Sequence, residues 1–144
     1  MYMVAFMYPN APGATFNHEH FIKVHLPLGL YQTFKHLGLK PVKLVVYSPT
    51  RNVGNPQALL PYIAISSVFF HTLSEAERFS GLFGFEEAAR LLSADFPNYT
   101  PGPPDVMMAE VTELTDVDGL IAAHRPALSS TALCDAARAG VAPG

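Results

Sequence analysis

The chain carries six histidines and a single cysteine, and His25 is the residue best suited to chemistry. An imidazole titrates near neutral pH, so it can take and return a proton under physiological conditions. His25 stands two residues before Pro27, inside a run with helical spacing. A proline there removes one helix hydrogen bond and crowds the carbonyl four residues back, that of Lys23. A kink is therefore expected, and it could tilt the imidazole toward the open face of a neighbouring sheet. The competing account is a half-buried helix histidine bonded to backbone. Asp95 could orient such a histidine or stabilise its charge, as the third group does in triad-like sites. The same Asp95, ahead of Phe-Pro-Asn, also suits an Asx-turn that fixes the loop locally. Asn98 and Thr100 share that second account. Tyr2, Tyr8, Tyr47 and Tyr62 each join an apolar body to a hydroxyl, which suits the wall of an apolar site that must hold one oxygen. Phe6, between Tyr2 and Tyr8 in the same segment, completes the set of expected ligand-lining residues.

Other residues offer less. His18 and His20 flank Glu19, but residues two apart on a helix point about 200° from each other. They do not share one ion, the spacing is not that of HExxH, and a solvated face is expected, with no metal. Cys134 forms no intrachain disulfide and has no basic neighbour to activate it. Gly81 and Gly84 do not make a phosphate loop, and neither a G-x-G-x-x-G nor a P-loop spacing occurs. No cofactor is expected. His36 and His71 suit helix ends, and Arg51 lies in a loop where it is a surface residue or a gate to the site.

The elements that must position these groups follow from composition and pattern. Of 144 residues, 49% are hydrophobic and 15% charged, against about 25% charged in an ordinary domain. Such a chain is not intrinsically disordered. A net charge of −3 with scattered Lys and Arg argues against nucleic acid and against an anionic membrane surface. No run approaches the roughly 18 apolar residues of a membrane span, the apolar start lacks a basic leader region, and a cytoplasmic location is expected. Strands are predicted at 1–8, 42–47, 62–70 and 106–114. A proline-containing helix is predicted from Thr15 or Asn17 to His36, stopped by Gly38. A second helix begins at capping boxes around Thr72 and Ser74 and breaks near Gly81 or Gly84 before a short piece over 85–92. The order β-α-β-β-α-β is that of a ferredoxin-like α+β domain with a four-stranded antiparallel sheet over residues 1–114. Residues 115–144 read as a C-terminal tail with room for one short helix. Both faces of the strands are apolar, and two helices cover only one. A second copy of the chain is the simplest cover for the other. A homodimer packed sheet to sheet, enclosing a small apolar or aromatic ligand, is expected.

Four segments together resemble the EthD family: Tyr8–Phe16 (YPNAPGATF), the helix segment His25–Leu28 (HLPL), Pro61–Phe70 (PYIAISSVFF) and Asp95–Thr100 (DFPNYT). The resemblance spans about residues 2–114. It implies the dimeric α/β barrel superfamily and places His25 on the family's histidine. The wider family includes polyketide-processing decarboxylases and a protein encoded beside an ether-degrading oxygenase system. Related barrels include lactone isomerases and cofactor-free monooxygenases. The resemblance thus implies a cofactor-free enzyme of catabolism or polyketide-type metabolism, in which a histidine moves a proton for a decarboxylation, an isomerisation or an oxidoreductase step. Two alternatives stand beside it: a non-catalytic auxiliary protein that binds a small compound for an oxygenase, and a haem-handling barrel with a histidine ligand.

Overall fold

A computed structural model describes residues 1–125. The chain divides into two compact units, Met1–Val111 and Thr112–Gly144. Cys134 and the end of the tail lie outside the described residues.

The first unit is an α+β fold on a four-stranded antiparallel sheet in the order β2-β3-β1-β4. The strands are β1 (Tyr2–Pro9), β2 (Lys43–Tyr47), β3 (Tyr62–Phe70) and β4 (Asp105–Glu110). β4 stops four residues before the predicted end, after its last pairing, Glu110 with Tyr2. Because side chains alternate along a strand, Val4, Phe6 and Tyr8 share one face with Ala64, Ser66, Val68 and Phe70, and with Leu44 and Val106 by register. This is the face that the helices cover. Val4, Val68 and Phe70 pack with Leu39 and Ala76 in one cluster, and Tyr8 and Ala64 pack with Phe21 and Tyr99 in another.

The first crossover is one continuous helical run with a change of pitch inside it. Asn17 caps α1 (His18–His20) by accepting the His20 N–H. A π-helical turn follows over Phe21–His25, closed by the Leu26 N–H to the Phe21 carbonyl, and α2 (Leu26–Leu37) continues from it. The expected kink at Pro27 is thus a widened turn. A proline crowds the carbonyl four residues back and offers that carbonyl no N–H. A turn already bonded at five residues relaxes that clash ahead of the ring. Gly38 stops α2 at φ 63°, a left-handed conformation that favours glycine, and its N–H bonds the Phe34 carbonyl.

The second crossover is broken, as its glycines suggest. α3 (Leu73–Ser80) starts at a full capping box, in which Thr72 and Glu75 each accept the other's backbone N–H. A 3-10 turn (Leu82–Gly84) separates it from α4 (Glu86–Asp95), and a second 3-10 turn (Phe96–Asn98) runs on from α4. Lys35 on α2 meets Glu87 on α4 at 2.6 and 2.8 Å. In the second unit, Asp116 caps the short helix α5 (Val117–His124). Among the described residues no helix is long and apolar enough to cross a membrane.

Candidate functional site

The site is built where the π turn meets the end of α4. Asp95 is the last residue of α4 and is 9% exposed. Its Oδ2 lies 2.9 Å from His25 Nδ1, and its Oδ1 lies 2.7 Å from His20 Nε2. Asn98 donates from Nδ2 to the same Oδ1 at 3.0 Å. The carboxylate therefore spends its lone pairs on three side chains and does not cap a backbone N–H. On an α-helix, residues five apart are about 140° apart around the axis. A turn bonded at five residues sets them nearly one above the other. The π turn thus lets His20 and His25 both face Asp95. This corrects the sequence reading of His20: it belongs to the site, not to a solvated face, while His18 bonds Ser48 at 3.3 Å. The two imidazoles meet opposite oxygens of the carboxylate, and no group of three His, Cys, Asp or Glu among the described residues is arranged to hold a metal ion.

The network runs on from the other side of the ring. His25 Nε2 lies 3.1 Å from the Tyr99 hydroxyl, which lies 3.1 Å from the Tyr8 hydroxyl. Three hydrogen bonds decide the directions. Burial by itself would raise the Asp95 pKa, but the bonds from Asn98, His20 and His25 outweigh it and hold the carboxyl below its ordinary value. An ionised carboxylate only accepts, so Nδ1 of a neutral His25 carries the proton and Nε2 accepts from Tyr99. Tyr99 then accepts from Tyr8. Burial lowers the His25 pKa from its ordinary 6.5, and the nearby Asp95 only partly restores it. The imidazole is therefore neutral at pH 7, with a basic nitrogen on the side away from Asp95. Burial raises both tyrosines above their ordinary value, so both keep their hydroxyl protons.

His25 and Tyr8 border a cavity of about 370 Å³ between the sheet and the helices. Phe6, Phe21, Leu30, Val68 and Phe96 are among the side chains of its mostly apolar wall. The size falls in the range of about 300–1,000 Å³ typical of small-molecule sites. Its position differs from the sequence reading, which set the ligand on the opposite face, between two sheets. The His25 ring instead stacks on Phe21 at 5.7 Å and meets Tyr99 at 4.4 Å, on the helix-covered side. The change of pitch turns the imidazole inward beneath its own helix.

The structure brings together His25, Asp95, Tyr8 and Phe6, and places the other three tyrosines elsewhere. Tyr2 shares the face but packs against the Val4–Phe70 cluster, outside the cavity wall. Tyr47 is half exposed on the opposite face, since its neighbour Val46 takes the inner position. Tyr62, at the start of β3, donates to Asp105 at 3.3 Å in an exposed pair. The sequence reading passed over Tyr99 and set His20 on a solvated face. Tyr99 had a usable signal: it lies four residues after Asp95, the spacing that puts two side chains on one side of a helical segment. His20 had none, because its contact depends on the π turn.

These features define an α+β fold of EthD-like type with a buried histidine beside an apolar cavity. No family model and no curated protein matches the sequence. Solved structures resemble the fold. An EthD-like protein of Ralstonia eutropha JMP134 superposes with a TM-score of 0.63 at 21% identity, covering 80% of this chain and 96% of that one. An ethyl tert-butyl ether D family protein of Bacillus halodurans C-125 gives 0.47 at 18% identity over 78% of this chain and 99% of its own. HapK from Hahella chejuensis gives 0.44 at 13% identity over 79% and 95%. The first of these likenesses supports the fold.

The network makes stability depend on pH in two windows. His25 has a folded pKa below its ordinary 6.5, so the unfolded chain binds its proton first. Its contribution is complete above pH 6.5 and is lost as pH falls through the lowered folded value. Asp95, lowered from 3.8, contributes above that value and is lost further into acid. Thermal unfolding followed by circular dichroism should show a midpoint that falls between pH 6.5 and pH 5. His25→Gln, which keeps a neutral donor toward Asp95, should flatten that limb. An equally steep limb in the variant would contradict the assignment.

Proposed function

We propose that the protein binds a small, uncharged ring compound in the cavity and moves a proton on it without a cofactor, with His25 as the general base and acid. The observation that carries this reading is the neutral His25 at the wall of an apolar cavity, its Nδ1 held by Asp95 and its Nε2 left as the acceptor. Two routes lead to Nε2. A ligand proton can reach it directly when the Tyr99 hydroxyl yields its place. It can also enter at the Tyr8 oxygen while the Tyr8 proton passes to Tyr99 and the Tyr99 proton to Nε2. Either way His25 becomes an imidazolium facing the ionised Asp95, which stabilises it. The ligand becomes an enolate or enol, the common starting point for decarboxylation, isomerisation and reaction with oxygen.

A direct test uses 2-tetralone, an uncharged ring ketone, in deuterated buffer. Proton NMR should show faster exchange of its C1 protons with the protein than in buffer alone. His25→Ala should slow that exchange by about 10²–10⁴-fold, the usual contribution of one general acid–base group. Equal rates with both proteins would refute the role of His25. Binding of the ketone without any exchange would favour the auxiliary binding protein instead.

The reading includes a homodimer formed through the sheet face turned away from these helices. That face carries Met3, Met7, Val45, Ile65, Phe69 and Met107 within the first unit. A second copy of the same sheet matches such a surface in shape and chemistry. Light scattering at micromolar concentration should give twice the 15.6 kDa of one chain. A single-chain mass would sink the dimer.

A further inference from the structure

Ser66 sits in the middle of β3, on the cavity side of the sheet, paired with Phe6 and Val46. It is 1% exposed and lines the cavity, and its Oγ has no hydrogen-bond partner among the described residues. It is the one such side-chain atom among the described residues. The other two hydroxyls of serine and threonine on the wall are occupied: Thr33 donates to the Gly29 carbonyl at 2.7 Å and Ser80 to the Ala76 carbonyl at 3.0 Å. A buried hydroxyl without a partner destabilises a fold, and an alanine in its place would remove that penalty. Ser66 stands in the wall of an apolar hollow, so a partner for its hydroxyl can come from inside that hollow.

We infer that Ser66 is the specificity-determining residue of the cavity and donates a hydrogen bond to an oxygen of an uncharged, ring-shaped ligand. The inference rests on the reading of the cavity as a ligand site, but not on proton transfer by His25. The wall includes no Lys, Arg, Asp or Glu among the described residues, so a charged ligand would enter without a counter-ion. Ser66 lies one same-face step from Ala64, the partner of Tyr8, which is about 7 Å along the strand. The cavity thus presents hydrogen-bonding groups at two separated places, with apolar side chains between and around them. The complementary molecule is a flat apolar body with one oxygen placed toward the Tyr8–His25 end and another toward Ser66.

The test uses two probes of nearly the same shape, 2-naphthol and 2-methylnaphthalene, both uncharged at pH 7, titrated by calorimetry. Wild type should bind the naphthol about 3–10-fold more tightly, the worth of one neutral hydrogen bond. Ser66→Ala should abolish that preference, leave the affinity for the methyl compound unchanged, and leave the empty protein at least as stable to heat. His25→Gln should keep the preference. Should Ser66→Ala fail to fold, Ser66→Cys, close in size and a weak donor, takes its place with the same expectation. A preference that survives the loss of the hydroxyl would overturn the inference, because the probe's oxygen would then be read at Tyr8 or His25. Equal binding of the two probes by wild type would overturn it as well, as would binding of neither; a bound water would then be the partner of Ser66. The 2-tetralone exchange separates the two claims: lost exchange with the preference intact sinks proton transfer alone, and intact exchange with no preference sinks Ser66 alone.

Discussion

The carboxylate of Asp95 is the constraint on which the rest of this site depends. It stands at the end of α4, nearly buried, and accepts from His20, His25 and Asn98. An ionised group in such a place is tolerated only if its lone pairs are filled, because burial without partners costs far more than a hydrogen bond returns. Filling them requires two histidines from the first crossover helix to point the same way. An α-helix does not bring residues 20 and 25 into line, whereas a π turn does. The departure from regular helix over Phe21–His25 can thus be understood as a demand of the carboxylate, made tolerable by the proline that follows.

From that anchor the chemistry propagates outward. Fixing the proton on Nδ1 makes Nε2 an acceptor, which orients the Tyr99 hydroxyl and through it the Tyr8 hydroxyl. Aromatic packing holds the chain in place: Phe21 lies against the imidazole, and Phe16 and Phe21 both pack on Tyr8 and Tyr99. Desolvation by the same rings keeps His25 neutral even though a carboxylate touches it. The opposing effects do not cancel, and their balance leaves a base ready at neutral pH. Ser66 represents the reverse case, a polar atom in the same cavity wall with nothing among the described residues to meet it.

Much of this was legible in the residues. The apolar runs of Tyr2–Tyr8 and Tyr62–Phe70, the Thr72–Glu75 box and the Gly38 stop each follow from local rules, and the elements lie within a few residues of expectation, the early end of β4 being the largest departure. The resemblance to EthD proteins pointed to the same fold. His25 stood out by its residue type, its place before Pro27 and the EthD resemblance, and Asp95 as a carboxylate able to orient it. What was not legible depends on pitch and on three-dimensional placement. The π turn has no local signature beyond Pro27, so His20 looked like surface and the imidazole seemed to face the open side of the sheet. Tyr47 and Tyr62 were chosen for residue type, but register puts Tyr47 on the outer face and the start of β3 leaves Tyr62 beside Asp105. Ser66 drew no notice because a serine in a strand is ordinary until its surroundings are known to be apolar.

The central claim is the protonation state of one ring, and nitrogen NMR reads it directly. With ¹⁵N-labelled histidine, His25 at pH 7 should show a protonated, pyrrole-like Nδ1 and an unprotonated, pyridine-like Nε2. It should remain so until the pH falls below 6.5, and Asp95→Asn should disturb both signals. An imidazolium at pH 7, or a proton resting on Nε2, would contradict the account.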